Sequence, residues 1–251
     1  MVSYSLFSII TPARNVAQKL GSTHESLLNQ ASDLYEWIVV DGASNDKTTE
    51  WLESHQNPSL RWISEPDQGV YDAMNKGVEM ARGQFLLFVG AGDRLLPGAL
   101  QAMAEFIHQK PTSSPRLIYG NVKYLDTGLP FTESKFTKTR LCFQNICHQG
   151  IFYENTIFKK LGGYELTYPI LADWAFNLRC FGDSSIAKLH FNQPVAAFEG
   201  GGLCAHTPDV AFADDRQRLI NVRLGPYYAW QYRITIAIKR KLKRAKLPNF
   251  R

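Results

Sequence analysis

The tightest constraint on this chain's fold is the alternation, through its first half, of short apolar runs with stretches of helical periodicity. Ser5–Ile10, Trp37–Val40, Leu60–Ile63 and Phe85–Val89 are too short for core helices and lack the in–out alternation of a half-exposed strand. They read as strands buried on both faces. Between them the sequence predicts helices from Asn15, as N-cap, to Gln30, over Asp46–Ser54 and over Tyr71–Ala81, and a further helix from near Pro97 to Gln109. This order predicts an α/β fold with a Rossmann-like, mostly parallel sheet and helices on both faces. Ligands bind such sheets beyond the carboxyl ends of the strands. Here those ends are Thr11-Pro12, Asp41 and Gly92-Asp93.

The second half is less regular. Leu117–Tyr119 and Val122–Leu125 read as strands around Gly120-Asn121, as do Ala187–Phe191 and Val195–Phe198, while Asn155–Leu161 and Ala172–Phe181 read as helices. No repeat or long linker divides the chain, so residues 1–225 are expected to form a single domain, followed by a basic, aromatic segment, 226–251. With 45% hydrophobic residues among 251, the composition is globular and excludes disorder, collagen and coiled coil. No run approaches the roughly 18–20 apolar residues that span a bilayer. Four cysteines without CxxC pairs suggest neither a disulfide scaffold nor a zinc site, and the amino terminus lacks the parts of a secretory signal. A reduced, cytoplasmic protein is expected.

Charge is unevenly placed. All 23 acidic residues lie at or before Asp215, against 17 basic ones there, and the remaining 11 Lys and Arg follow without any acid. An acidic body with a basic tail is not a uniform nucleic-acid surface, and no nucleic acid is expected as partner. Tyr227, Trp230, Ile234, Ile238 and Leu242 recur at helical spacing, close to Lys239, Arg240, Lys241, Lys243, Arg244 and Lys246; Tyr232, Ile234, Ile236 and Ile238 alternate, which would also suit a strand. The hypothesis is a peripheral anchor on anionic lipid at the inner face of the cytoplasmic membrane.

Several segments carry groups suited to chemistry. Asp41 closes a strand, where a carboxylate can accept from a base N–H or ribose hydroxyls, and Gly42 permits close approach; Ser44 and Asp46 are equally suited to cap the next helix. Asn75 and Lys76 lie four residues beyond Tyr71 and Asp72, hence on similar helix faces, and Lys76 is either an exposed charge or a phosphate partner. Asp93, after Gly90-Ala91-Gly92, offers an oxygen ligand that beside a diphosphate suits Mg²⁺ or Mn²⁺. His148, before Gln149, is a candidate to ligate metal or touch substrate. Asp173 opens an apolar helix, where the dipole favours a carboxylate and capping alone accounts for its position.

Taken in order, these segments resemble the family 2 glycosyltransferases of GT-A fold. The likeness runs from Ser8-Ile9-Ile10-Thr11-Pro12 through Ile38–Asp46, Ile63–Gly77, Gly92-Asp93, Leu96–Ala99, His148-Gln149 and Ala172-Asp173-Trp174 to about Gly202. Ser64–Asp67 and Tyr71–Gly77 look most like bacterial exopolysaccharide and O-antigen transferases, closest to the colanic-acid fucosyltransferase-like subgroup. The resemblance implies a UDP-, GDP- or TDP-sugar held by Thr11, Pro12, Arg14, Asp41, Gly42, Ser44, Asp67, Gly69, Asp72, Asn75, Lys76 and Gly92. It implies Asp93 as ligand of Mg²⁺ or Mn²⁺, His148 and Gln149 as acceptor or metal candidates, and Asp173 as the base that deprotonates the acceptor, a saccharide expected to be lipid-linked. The reaction would invert the anomeric centre. Two departures stand out: Gly92 precedes Asp93 where the family often has a second acid, and Arg14 stands where an aromatic is common. A sugar nucleotidyltransferase would resemble a glycine-rich Lys/Arg loop after the first strand, where this chain has Thr-Pro-Ala-Arg-Asn. A non-catalytic sugar-nucleotide or nucleic-acid binding module fits poorly with Asp93 and Asp173 both present.

Overall fold

The computed structural model describes residues 5–55, 57–132, 134–200 and 207–245, without the side chains of residues 132 and 243–245. Its amino-terminal half runs β1 (Phe7–Ala13), α1 (Ala17–Leu28), β2 (Tyr35–Asp41), α2 (Thr48–Ser54), β3 (Leu60–Ser64), α3 (Val70–Met80), β4 (Phe85–Phe88), β5 (Arg94–Leu95) and α4 (Ala99–Gln109). Then follow β6 (Arg116–Tyr124), β7 (Pro130–Thr132), α5 (Lys138–Leu141), a 3₁₀ turn over His148–Gly150, β8 (Ile151–Glu154), α6 (Asn155–Leu161) and α7 (Ala172–Gly182). β9 (Ala187–Phe198), α8 (Val210–Leu224) and α9 (Pro226–Ala245) complete the described chain.

One sheet of order β3-β2-β1-β4-β8-β6-β9-β5 organises the molecule, with β7 paired to β6. The expected parallel arrangement holds for β3, β2, β1 and β4, and again between β6 and β9. The sheet as a whole is mixed, because β8 enters antiparallel between β4 and β6, and β5 and β7 also pair antiparallel. The continuous apolar runs are explained by burial on both faces. Ile10, Ile38, Leu86 and Phe88 join the core under α3, α6 and α7, while their neighbours Ile9, Trp37, Val39, Phe85 and Leu87 join the core under α1, α2 and α4.

Several boundaries differ from the sequence reading. β1 continues through Thr11-Pro12 to Ala13, which faces Asp41 of β2. Its pairing with β4 ends at Ile10, so beyond that point Pro12 deprives no neighbour of a donor. α1 starts at Ala17 rather than Asn15: the N–H groups of Val16 and Ala17 are taken by Thr48 Oγ1 at 3.0 Å and Asp46 Oδ2 at 3.2 Å, a cap supplied from beyond β2. Finally, β6 and β9 are each one strand rather than two, because register shifts on either side of Asn121 absorb the break in the apolar pattern. The aromatic carboxy-terminal stretch is helix, not strand.

Candidate functional site

The ends of β1 and β2 are locked together by two non-glycine residues in the left-handed region, Asn15 (φ 55°) and Ala43 (φ 53°). For alanine this conformation costs on the order of 1–2 kcal/mol, and it persists because the surrounding bonds demand it. Asn15 N–H donates to Ser44 Oγ at 2.7 Å, and Asn45 N–H donates to Asn15 Oδ1 at 2.9 Å. Asp41 accepts from the Ser44 hydroxyl, from Ser44 N–H at 3.0 Å and from Ser64 Oγ at 2.7 Å, and it is 0% exposed. Gly42 lets the Asp67 carboxylate approach closely, since a β-carbon there would sit 2.2 Å from one of its oxygens and the side chain would have to move.

Several residues expected to meet a nucleotide are thus engaged with the protein itself. Asp41 and Ser44 hold the turn. Thr11 is fully buried and accepts from Trp37 Nε1 at 3.0 Å. Asn75 uses both ends of its amide on the Tyr164 backbone, at 2.8 and 3.0 Å. Asp72 accepts from Gln68 N–H at 3.0 Å. Lys76 pairs with Glu65 at 2.8 Å and donates to the Pro66 carbonyl at 2.7 Å, and the Glu65 contact raises its pKa. Pro12, Arg14, Gly42 and Asp67 remain around the strand ends, Arg14 exposed, and Asp67 accepts from Gly69 N–H at 2.9 Å.

Asp93 follows β4 and precedes β5, whose pairing with β9 brings Phe198 and Glu199 alongside. The loop is pinned from α1: Thr23 Oγ1 donates to the Asp93 carbonyl and accepts from Gly92 N–H, each at 2.9 Å, with Gly92 at φ 101°. Asp93 Oδ2 accepts from Gln149 Nε2 at 2.7 Å and Oδ1 from Glu199 N–H at 3.2 Å. The residue is 7% exposed, and burial pushes its carboxyl pKa up despite these donors. A buried carboxylate held against its preference for water fits a hard divalent cation that takes its other ligands from diphosphate and water. Among the described residues no group of three or more His, Cys, Asp or Glu stands ready to complete such a shell.

Asp173 lies in the first turn of α7 but is not its cap, since Leu171 occupies that position. Its Oδ1 lies 2.8 Å from the Tyr71 hydroxyl and accepts from Trp174 N–H at 2.8 Å; Oδ2 accepts from Asn145 Nδ2 at 2.8 Å, with His148 Nδ1 3.7 Å away. The Tyr71 pKa is driven well above its ordinary value, by burial first and then by the Asp173 charge, so this hydroxyl keeps its one proton, which Asp173 Oδ1 and the Ile170 carbonyl, also 2.8 Å away, share. A carboxylate accepts about four hydrogen bonds, so at least one lone pair is left on Oδ2, whose nearest neighbours are Asn145 Nδ2 and, at 3.7 Å, His148 Nδ1. Two other carboxylates, Asp183 and Glu199, are candidates for the same duty, and each is held by a lysine. Asp183, at the far end of α7, pairs with Lys160 at 2.6 Å, which with Ser185 lowers its pKa to about 2, and Glu199 pairs with Lys19 at 2.6 Å.

The 3₁₀ turn ties the two halves together. Gln149 donates to Asp93 and its neighbour His148 faces Asp173, so two carboxylates distant in sequence meet the same turn. Tyr71, Asn145 and Thr23 were not singled out from sequence. Tyr71 lies inside the Tyr71–Gly77 stretch, but the Asn145 stretch has no periodicity that would mark it.

α9 packs Ala229 and Tyr232 inward, with the Arg216 guanidinium between the Trp174 and Tyr232 rings at 4.0 and 5.2 Å. Its opposite face leaves Tyr227, Trp230, Ile238 and Leu242 more than half exposed, with Ile234 at 37%. Lys239, Arg240 and Lys241 are exposed nearby; the side chains of Lys243 and Arg244, and Lys246 altogether, lie outside the described residues. Among the described residues no helix is long and apolar enough to cross a membrane.

Comparison with known proteins converges on one family. Residues 8–160 match the model "Glycosyl transferase family 2". A "PGL/p-HBAD biosynthesis glycosyltransferase" of Mycobacterium bovis is 39% identical over 227 residues, covering 88% of this chain and 86% of that protein. Staphylococcus aureus TarS 1–349, solved with UDP-GlcNAc, superposes with a TM-score of 0.69 at 20% identity, over 86% of this chain and 66% of that one. The mannosyltransferase PcManGT of Pyrobaculum calidifontis, solved with GDP-Man and Mn²⁺, gives a TM-score of 0.63 at 15% identity, over 94% of this chain and 76% of that one. At such identities the two structures establish the fold alone.

Proposed function

The chain belongs to glycosyl transferase family 2, and from that premise we propose that this GT-A enzyme transfers a sugar, with inversion, from a UDP-, GDP- or TDP-sugar to a saccharide hydroxyl in polysaccharide biosynthesis. The observation that carries this reading is the turn shared by the two carboxylates: Gln149 lies 2.7 Å from Asp93 and His148 3.7 Å from Asp173. Asp93 lies by the strand ends that suit a nucleotide, and Asp173 at the start of α7. Separate carboxylates for donor and acceptor suit inversion, in which the acceptor attacks the anomeric carbon from the side away from the leaving diphosphate.

In this mechanism Pro12, Arg14, Gly42, Asp67, Gly69 and Gly92 border the nucleotide sugar, while Thr11, Asp41, Ser44, Asp72, Asn75 and Lys76 shape the loops behind it. Asp93 would hold Mg²⁺ or Mn²⁺, which when bound offsets charge on the diphosphate. The acceptor hydroxyl approaches the open lone pair of Asp173 Oδ2 past His148. As its oxygen bonds to the anomeric carbon, its proton passes to Asp173 and the bond to the nucleoside diphosphate breaks. The acceptor is proposed to be lipid-linked, with the exposed face of α9 resting on anionic lipid at the inner face of the cytoplasmic membrane. Assignment to the bacterial exopolysaccharide type, and within it to the colanic-acid fucosyltransferase-like subgroup, rests on the Ser64–Asp67 and Tyr71–Gly77 stretches alone.

A thermal-shift panel of UDP-, GDP- and TDP-sugars with and without Mn²⁺, run on the wild type and Asp93→Ala, tests the donor half. A ligand at 100 times its Kd stabilises the native state by about 2.7 kcal/mol. One nucleotide sugar is expected to raise Tm with Mn²⁺ in the wild type only. No shift with any donor, or an equal shift in Asp93→Ala, would overturn this reading.

A further inference from the structure

Behind Asp173 a file of polar side chains runs into the core, unlike the apolar packing around it. Asn145 Nδ2 donates to Asp173 Oδ2 at 2.8 Å, Asn177 Nδ2 to Asn145 Oδ1 at 2.9 Å, and Tyr153 Oη to Asn177 Oδ1 at 2.8 Å. Asn177 and Tyr153 are both 0% exposed. Leaving any buried member unpaired costs roughly 1–3 kcal/mol, so such a file is retained only when every group is matched.

The chemistry of its ends gives the file one direction. A carboxylate only accepts, so Asn145 must turn its NH₂ toward Asp173 and its carbonyl toward Asn177. Asn177 must then turn its NH₂ outward and its carbonyl inward, and the Tyr153 hydroxyl at the inner end must donate. Burial drives the Tyr153 pKa well above its ordinary value, so its proton stays in place. Three elements are joined: β8 through Tyr153, α7 through Asn177 and the loop after α5 through Asn145. The loop is clamped in turn, since Arg216 donates to the Cys142 carbonyl at 2.7 Å.

We propose that Asn145, Asn177 and Tyr153 form a directional positioning file that holds the ionised Asp173 carboxylate in one orientation, with its open lone pair toward the acceptor. This rests on Asp173 being the base. Asn145 acts directly on the carboxylate, and the other two act only through Asn145. Removing Asn145 therefore removes the whole effect, and removing Tyr153 as well adds nothing.

The test compares Asn145→Ala, Tyr153→Phe and the double variant. It reads nucleoside diphosphate release, with water as acceptor, from the nucleotide sugar that gives the largest thermal shift. Asn145→Ala is expected to lower kcat about 10–100-fold with donor KM within twofold, Tyr153→Phe less, and the double variant no more than Asn145→Ala alone. A crystal structure of Asn145→Ala, which needs no activity, is expected to show Asp173 rotated about its Cα–Cβ bond. Losses that multiply in the double variant, a raised donor KM at unchanged kcat, or an unmoved Asp173 would overturn the proposal. Activity retained in Asp173→Asn would instead refute the base assignment on which it rests.

Discussion

Asp173→Asn separates the base from the structure that surrounds it. The substitution keeps size and one acceptor oxygen, which stays on Tyr71 and Trp174 N–H, both at 2.8 Å from Oδ1. The new NH₂ would meet the Asn145 NH₂, two donors facing each other. The file behind can relieve this by reversing: Asn145 and Asn177 each turn over, and the Tyr153 hydroxyl, now accepting, ends the run. Two amide rotations leave one unmatched donor, the buried Tyr153 proton, so the net cost is about 1–3 kcal/mol. For a protein of this length that corresponds to a Tm drop of roughly 2–12 °C. Loss of the base should by contrast lower kcat by about 10²–10⁴-fold. Scanning calorimetry with initial-rate kinetics at saturating donor reads both quantities on one preparation. Transferase activity within tenfold of wild type would refute the catalytic assignment. A Tm drop above roughly 15 °C would refute the reversal, showing that the file cannot turn over.

Two further outcomes follow from the same geometry. Full-length protein should float with anionic vesicles, while a chain ending at Gly225, or one carrying Trp230→Ser and Ile238→Ser, should stay behind; each basic residue near the lipid is worth about 1 kcal/mol, and equal flotation of all three would reject the α9 anchor. Asp183→Asn should leave transfer activity unchanged. Because the Asp183 pKa is lowered from 3.8 to about 2 in the folded protein, its ionised form contributes stability above pH 4 that is lost as pH falls toward 2. The variant should therefore show a shallower acid limb in urea titrations between those values, and an unchanged limb would refute the Lys160 pairing.

The sequence by itself determined the layered α/β architecture, because burial on both faces demands the continuous apolar runs of β1, β2 and β4, and the spacing between runs leaves room for one helix each. It also located Asp41 and Asp93 at strand ends and the apolar stripe of α9, since all three depend on local position or period. The four-residue β8 gave no such signal, and its antiparallel insertion turns an expected parallel sheet into a mixed one. Nor does any periodicity record which donor a carboxylate meets. Tyr71 and Asp173 are 102 residues apart, and Gln149 and Asp93 are 56 apart. Those pairings exist because packing brings α3, α7 and the His148 turn together, where most buried polar atoms find a partner, the Tyr164 hydroxyl being an exception. Likewise no local pattern shows that Asp41 accepts from Ser44 and Ser64, or that Lys76 meets Glu65 and the Pro66 carbonyl. Sequence registers which residues are buried; only the tertiary structure decides what each buried polar group is bonded to.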